Sequence, residues 1–311
     1  MSKEHLYRGN APIRINKWMA ELGLCSRREA EALIEAGGVM VDGETVERPG
    51  HKIEPSQTLT LAENAERAIA SKFTAVLNKP VNYVSAQPEG DQVPAVRLLK
   101  TPNATDGTPG PAKNASLAPL GRLDQDSHGL LLLSDDGVLA KAIIGPQHSL
   151  EKEYLVTVSG KLSEGRLTLL RNGLSLDERR LKPAKVNVVE GQTLRFVLKE
   201  GRKRQIRRMC DLVGLRVTDL QRIRIGPLEL GDLEKGKWRL LKAKERAALI
   251  ASSLPPRAKR VTDESGKPVR KGPSFVGRGG AKPNRERSIE EIRAPKAKGQ
   301  KGPTGKRPKR D

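Results

Sequence analysis

Gly121-Arg122-Leu123-Asp124-Gln125-Asp126-Ser127-His128-Gly129-Leu130-Leu131-Leu132-Leu133-Ser134-Asp135-Asp136-Gly137 is the stretch that orders the rest of the chain. Leu130 to Leu133 form an unbroken apolar run bounded by polar and glycine residues, which is the pattern of a short buried strand. Ser134 or Asp135 can cap a helix directly behind it, turning Leu139, Ala142 and Ile143 inward. Asp124 then stands just ahead of the strand, after an arginine and a leucine. A carboxylate held at the edge of a buried strand is where a catalytic acid would sit.

The pattern continues outward on both sides. A larger domain opens at Lys72. Phe73 to Leu77 reads as a strand that ends at Asn78-Lys79-Pro80, where proline closes it, and Tyr83-Val84-Ser85 can resume it. Thr101 to Ser116 is dense in Pro, Gly, Asn and Ala and reads as a mobile loop, part of a long 101–118 connection. Beyond the central motif, Tyr154 to Val158, Lys185 to Val189 and Leu194 to Leu198 alternate as strands do, the last two linked by Glu190-Gly191-Gln192. Strands outnumber helices and no long βαβ repeat is visible. The expected class is α+β, with a mainly antiparallel mixed sheet over residues 72–252.

The first sixty residues have a pattern of their own. Ile15, Trp18, Met19 and Leu22 share one helical face, and Gly23 ends that helix. Ser26-Arg27-Arg28-Glu29 reads as a capping box opening a second helix with Ala30, Leu33 and Ile34 facing in. Gly37-Gly38 stops it. Val39 to Val46 carries Asp42-Gly43 at its middle, a two-residue hairpin signal. Two helices and a hairpin make a compact module over residues 12–62, with 63–71 as a linker. Arg14, Lys17, Arg27 and Arg28 are left on its outer surface.

The 311 residues carry a formal net charge of +21, which favours an acidic partner, nucleic acid above all. From Pro255 onward there are 18 Lys/Arg against 6 Asp/Glu, a net of +12. That segment, read as a basic tail over 253–311, has few large apolar residues and is expected to be disordered, since it cannot bury enough surface to offset ordering entropy. Its expected use is electrostatic grip on phosphates. Cys25 and Cys210 lie far apart and the 4 histidines are scattered, so neither a disulfide framework nor a metal site is expected. No apolar run reaches membrane-spanning length and Met1 to Asn10 lacks a signal-peptide core, so a cytoplasmic protein without a membrane partner is expected.

Two further elements bear on chemistry. Gly201 to Cys210, taken as a helix, sets Ile206, Met209, Cys210 and Val213 on one face and Arg204, Arg207, Arg208 and Asp211 on the other. Arg207 sits nearest the border, so it could reach a partly buried carboxylate, and a guanidinium beside Asp124 would keep that acid ionised. Arg122, Arg204 and Arg208 would meet phosphates. Tyr154, one of 3 tyrosines, lies in a strand near this region, where it could stack on a base or move a proton.

Residues 12–62, with Cys25-Ser26-Arg27-Arg28-Glu29-Ala30, resemble the S4 RNA-binding domain. Asn78-Lys79-Pro80, Gly121 to Gly129, Lys152-Glu153-Tyr154 and Arg204-Gln205-Ile206-Arg207-Arg208-Met209, in that order, resemble the pseudouridine synthases of the RsuA/RluB/RluE/RluF family, with the RluF subgroup nearest. The resemblance covers about residues 12–245. It implies that uridine in ribosomal RNA, 23S rRNA in particular, is isomerised to pseudouridine, that Asp124 is the catalytic aspartate, Tyr154 the active-site tyrosine and Arg207 the arginine paired with Asp124. It also implies a monomer and no metal or organic cofactor, because the reaction is redox-neutral and transfers no external group. The uridine would be flipped from its stack first, and Asp124 would act at the sugar, as nucleophile at C1′ or base at C2′. His128, where the family pattern has Gln, the long 101–118 loop and the basic tail are departures. The alternatives are a non-catalytic S4-type ribosome-assembly factor, which would need no Asp124, and a synthase for 16S rRNA or tRNA.

Overall fold

The computed structural model describes residues 3–113, 115–145 and 150–253. The expected tail beyond Ser253 lies outside the described residues.

The N-terminal module comprises β1 (His5–Leu6), β2 (Ile13–Arg14), α1 (Ile15–Glu21), α2 (Arg27–Glu35), β3 (Val39–Val41), β4 (Glu44–Thr45), β5 (Lys52–Ile53), β6 (Thr58–Leu61) and α3 (Glu63–Ala70). Its sheet runs β1-β6-β3-β4, all antiparallel. Asp42 and Gly43 both take positive φ, 49° and 85°, which is what a two-residue hairpin turn matching the strand twist requires. Ser26 Oγ accepts from Glu29 N while Glu29 Oε2 accepts from Ser26 N at 2.6 Å, so the capping box forms. Ile15, Trp18, Met19, Ala30 and Ile34 are buried against Val39, Leu59 and Leu61.

Two expectations fail here. Leu22 lies past the end of α1, as its C-cap, and is exposed rather than part of the apolar face. Residues 63–71 are not a bare linker: they form α3, whose Ala65 is buried in the module's core. The segment Glu63-Asn64-Ala65-Glu66-Arg67-Ala68-Ile69-Ala70 has good helix formers, and one small buried residue suffices to dock it.

The larger part contains β7 (Thr74–Lys79), β8 (Tyr83–Val84), β9 (Val93–Pro94), β10 (Ala118–Pro119), β11 (His128–Ser134), α4 (Gly137–Ile144), β12 (Lys152–Ser159), α5 (Glu164–Arg171), β13 (Ser175–Leu176), β14 (Arg179–Arg180), β15 (Lys185–Glu190), β16 (Thr193–Leu198), α6 (Gln205–Leu212), β17 (Arg216–Ile225), β18 (Leu228–Glu229), β19 (Trp238–Leu240) and α7 (Ala243–Ser253). The main path of the sheet is β15-β16-β12-β17-β11-β7-β19, with β10 on β11 and β18 on β17. Within this sheet, among the described residues, β11 and β17 run parallel and the other pairs are antiparallel; β8 and β9 form a separate parallel pair. The fold is therefore α+β with a mainly antiparallel mixed sheet.

β11 shows why the leucine run is continuous. Leu131 and Leu133 pack on one face with Leu167 and Leu170 of α5 and Ile206, Met209 and Cys210 of α6. Leu130 and Leu132 pack on the other with Leu139 and Ile143 of α4 and Leu249 of α7. A strand covered on both faces has no solvent side on which to place polar residues. The N-cap of α4 is Asp136, not Ser134 or Asp135; its Oδ1 accepts from Val138 N and Leu139 N at 3.0 Å. Ser134 Oγ accepts from Asp136 N instead and fixes the capping residue.

The 101–118 connection is tied to the sheet edge. Trp238, fully buried, donates from Nε1 to Lys100 O at 3.0 Å, and Thr105 N donates to Trp238 O at 3.0 Å. The N-terminal module meets the larger part through Glu29, whose Oε1 is 2.8 Å from Lys72 Nζ.

Candidate active site

The loop 121–127 leads into β11 and is shaped by its neighbour β17. Gly129 pairs with Arg222 in the parallel register and has φ +101°; a Cβ there would lie 2.3 Å from Arg222 O. Glycine is thus required for β11 to lie against β17 at this point. Arg222 itself is fully buried. Its Nε donates to Leu130 O at 2.7 Å and its Nη2 to Gly121 O at 2.9 Å, so one guanidinium clamps both ends of the loop that carries Asp124. Ser85 Oγ donates to Leu123 O at 2.6 Å and accepts from Leu123 N at 2.8 Å, fixing the residue just before Asp124.

Asp124, Tyr154 and Arg207 line one open cleft of about 340 Å³, together with Arg122, Lys152, Arg204 and Arg222. The expected residues are therefore brought together. Tyr154 sits beside a break in register between β12 and β17, the kind of irregularity that redirects side chains at the rim of a site. It lies opposite Arg222 across that strand pair.

The expected pairing of Arg207 with Asp124 is not present. Arg207 Nε lies 3.2 Å from Asp126 Oδ2, and its Nη2 donates to Asp126 O at 2.7 Å. Arg204 grips the same carboxylate with two hydrogen bonds of 2.9 Å. Arg204, the left-handed N-cap of α6 at φ 52°, and Arg207, one turn later, both reach Asp126. Burial pushes the Asp126 carboxyl up, but the Arg204 hydrogen bonds and the Arg207 charge outweigh it and hold Asp126 below the ordinary carboxylate range. Among the described residues the Asp124 carboxylate has no hydrogen bond or ion pair closer than 4.0 Å; Lys79 and Arg204 act on it through charge alone.

Of the arginines expected on phosphates, Arg208 is engaged on Asp177, with bonds of 2.6 and 3.0 Å. Arg122 is exposed at the rim of the cleft. Arg14, Arg27 and Arg28 are exposed, and Lys17 pairs with Glu21 across a helical turn. His128 is buried, with Nε2 2.9 Å from Asp219 Oδ1.

Three basic residues were given no role on the sequence alone. Lys79, fully buried, donates to Pro80 O at 2.9 Å and Tyr83 O at 2.8 Å, and desolvation pulls its amine down to about 8. Lys152 is likewise pulled down to about 8, by desolvation and then by the Arg222 charge. Arg222 is the third. The signal for Lys152 was present: it stands two positions from Tyr154 on one strand, hence on the same face. Arg222 was hidden because β17 reads as too polar for a central strand.

Comparison with known proteins decides the matter. Residues 74–212 match the RNA pseudouridylate synthase family and residues 13–59 match the S4 domain. An RNA pseudouridine synthase of Aquifex aeolicus is 35% identical over 245 residues, covering 76% of this chain and 94% of its own. The chain belongs to the RNA pseudouridine synthases. Its relatives include the ribosomal small subunit pseudouridine synthase A of Yersinia pestis, 34% identical over 78% of this chain and 100% of its own. The dual-specificity RNA pseudouridine synthase RluF of Escherichia coli is 31% identical over 87% of this chain and 92% of its own. A crystal structure of a pseudouridylate synthase superposes with a TM-score of 0.53 at 28% identity, covering 76% of this chain and 99% of that one. This synthase is thus an enzyme that acts on RNA, with an S4 domain at its N-terminal end. Among the described residues no helix is long and apolar enough to cross a membrane.

Proposed function

We propose that this synthase isomerises a uridine of 23S ribosomal RNA in the cytoplasm as a monomer, with Asp124 as the acting carboxylate. The observation that carries this reading is that Asp124, whose side chain has no hydrogen-bond or ion-pair partner among the described residues, stands in a cleft also lined by Arg122, Lys152, Arg204, Arg207 and Arg222. Its neighbour Asp126 absorbs Arg204 and Arg207, so Asp124 is left free to act at the sugar, at C1′ or at C2′. Tyr154 offers a ring to the flipped uracil. Arg207 serves as the positioning residue of the 126–127 loop. The reading needs neither metal nor organic cofactor, because the bond broken and the bond made involve the same two partners.

The 23S assignment rests on the resemblance of Gly121 to Ser127, Glu151 to Val158 and Arg204 to Cys210 to the RluF subgroup. The small-subunit relative, matched over its full length, favours 16S rRNA as the second reading. Arg14, Lys17, Arg27 and Arg28 of the S4 domain, with Arg122, Arg204 and Arg208 near the cleft, supply the phosphate contacts in this reading. Pseudouridine mapping across rRNA and tRNA, from cells with the protein, without it, and with only Asp124→Asn, tests it. One 23S site should vanish in the last two. A site lost from 16S rRNA or tRNA instead moves the target, and a site kept with Asp124→Asn removes the role of that residue.

A further inference from the structure

The cleft contains two cations, the buried Arg222 and the half-buried Lys152, that no carboxylate neutralises among the described residues. Among the described residues neither Lys152 nor Arg222 has an acidic oxygen within 4.0 Å, although the molecule pairs many of its other basic residues. Arg222 spends its hydrogen bonds on main-chain oxygens, those of Leu130 and Gly121 and, through Nη1 at 3.5 Å, that of Arg122. Lys152 donates to Leu150 O at 3.3 Å. The two charges meet at one point: a Cβ on Gly121 would lie 3.8 Å from Arg222 Nη1 and 3.9 Å from Lys152 Cε. Both line the cleft beside Tyr154 and Asp124. Holding two like charges together, partly desolvated and without a counter-charge, costs free energy unless an anion visits the site. The depressed amine of Lys152 records that cost.

RNA phosphates are one source of negative charge, but they lie on the outside of the strand, and a flipped nucleotide presents its base to the cleft. The base itself becomes an anion during the reaction. When the N1–C1′ bond breaks, its electron pair leaves with the uracil. The base turns, C5 bonds to C1′, the C5 proton passes to solvent, and N1 takes a proton from solvent. No net charge, electron or atom is gained.

Resting on the synthase reading of Asp124, we propose that Lys152 and Arg222 form a cationic floor that binds the uracil as an anion in the interval when it is bonded to neither sugar position. Lys152 is then a catalytic residue that touches the detached base through its carbonyl oxygens. Arg222 serves both the base and the Asp124 loop. Groups fixed in advance where charge develops act strongly in a site of low dielectric.

The test uses the full chain and a short RNA containing the mapped target, under single-turnover conditions. Wild type, Lys152→Met, Lys152→Arg and Asp124→Asn are compared on uridine RNA and on the same RNA with 5-fluorouridine at the target, reading N-glycosidic bond cleavage by mass spectrometry. Fluorouracil is the less basic leaving group and needs less help as an anion. Lys152→Met should cleave uridine RNA about 100-fold more slowly, its deficit should shrink at least about tenfold on fluorouridine RNA, and RNA affinity should stay within about threefold. Lys152→Arg should restore most of the rate, because the charge is kept. The ratio of the two substrates within one variant does not depend on the fraction of protein folded. A wild-type rate for Lys152→Met, an equal deficit on both RNAs, or a rate loss matched by lost affinity overturns the proposal. Asp124→Asn should be inactive on both RNAs; activity there refutes the role of Asp124 and leaves the Lys152 comparison readable.

Discussion

Arg207 holds Asp126 in two ways, by an ion pair to its carboxylate at 3.2 Å and by a hydrogen bond to its main-chain oxygen at 2.7 Å, while among the described residues the side chain of Asp124, two residues earlier, has no such partner. Two adjacent carboxylates have thereby been given separate tasks. Asp126 takes the arginines and anchors the loop to α6. Asp124 remains exposed to whatever enters the cleft.

The two arginines on Asp126 should differ in worth. Arg207 is largely buried, and it also reaches Ser127 Oγ at 3.3 Å. Charge-assisted bonds of that kind contribute about 1.5–3 kcal/mol. The Arg204 side chain is 43% exposed, and exposed pairs contribute about 0–1 kcal/mol. Arg207→Ala should therefore lower unfolding free energy by about 2 kcal/mol and Arg204→Ala by less than about 1 kcal/mol. Urea denaturation of the two variants decides it, and equal losses would show that the loop is not anchored through Arg207.

Asp124→Asn should separate activity from stability. With no side-chain partner to lose among the described residues, its melting temperature should match wild type within about 1 °C and RNA affinity should be kept, while pseudouridine formation falls to background, a loss of more than about 1000-fold. A drop of several degrees would mean that the carboxylate has a structural partner in solution.

Gly121 and Gly129 both take positive φ, +94° and +101°, but only Gly129 would drive a Cβ into the backbone of β17, at 2.3 Å. Gly129→Ala should cost more than about 3 kcal/mol, because β11 and β17 must separate. Gly121→Ala has room and should cost only the conformational term, about 1–2 kcal/mol. Thermal melts of both, with the Gly129 variant insoluble or many degrees lower, check the difference.

Much of this was legible in the residues. Leu130 to Leu133 named the central strand, Ser26 and Glu29 named a helix start, and Asp42-Gly43 named a hairpin, because each is a local rule that tertiary packing does not overrule. β17 was not legible. Its Arg216, Asp219, Gln221, Arg222 and Arg224 argue against a central strand, yet Asp219 and Arg224 pair with His128 and Glu153 of neighbouring strands and Arg222 lines the cleft. The partner of Arg207 was also out of reach: Asp124 and Asp126 lie two residues apart, and the choice between them depends on where α6 meets the 124–127 loop, which no spacing rule announces. Arg222 needed the fold itself, since its hydrogen bonds go to main-chain oxygens about a hundred residues earlier.

Lys79 gives a pH-dependent prediction. Burial lowers its amine from 10.5 to about 8, with Asp124 and Asp126 opposing the shift. The unfolded chain therefore holds this proton more tightly than the native protein, and stability contributed by this group rises as pH climbs from about 8 toward 10.5. Below about 8 both states are protonated and the native state carries the full cost of burying the charge. Lys79→Met removes the titration but also the bonds to Pro80 O and Tyr83 O that shape the turn below Asp124. The variant should thus show lower activity at every pH. In denaturant midpoints taken at pH 7, 8, 9 and 10, wild type should gain on Lys79→Met progressively above pH 8. Parallel curves across that range would mean that the Lys79 amine titrates near its ordinary value.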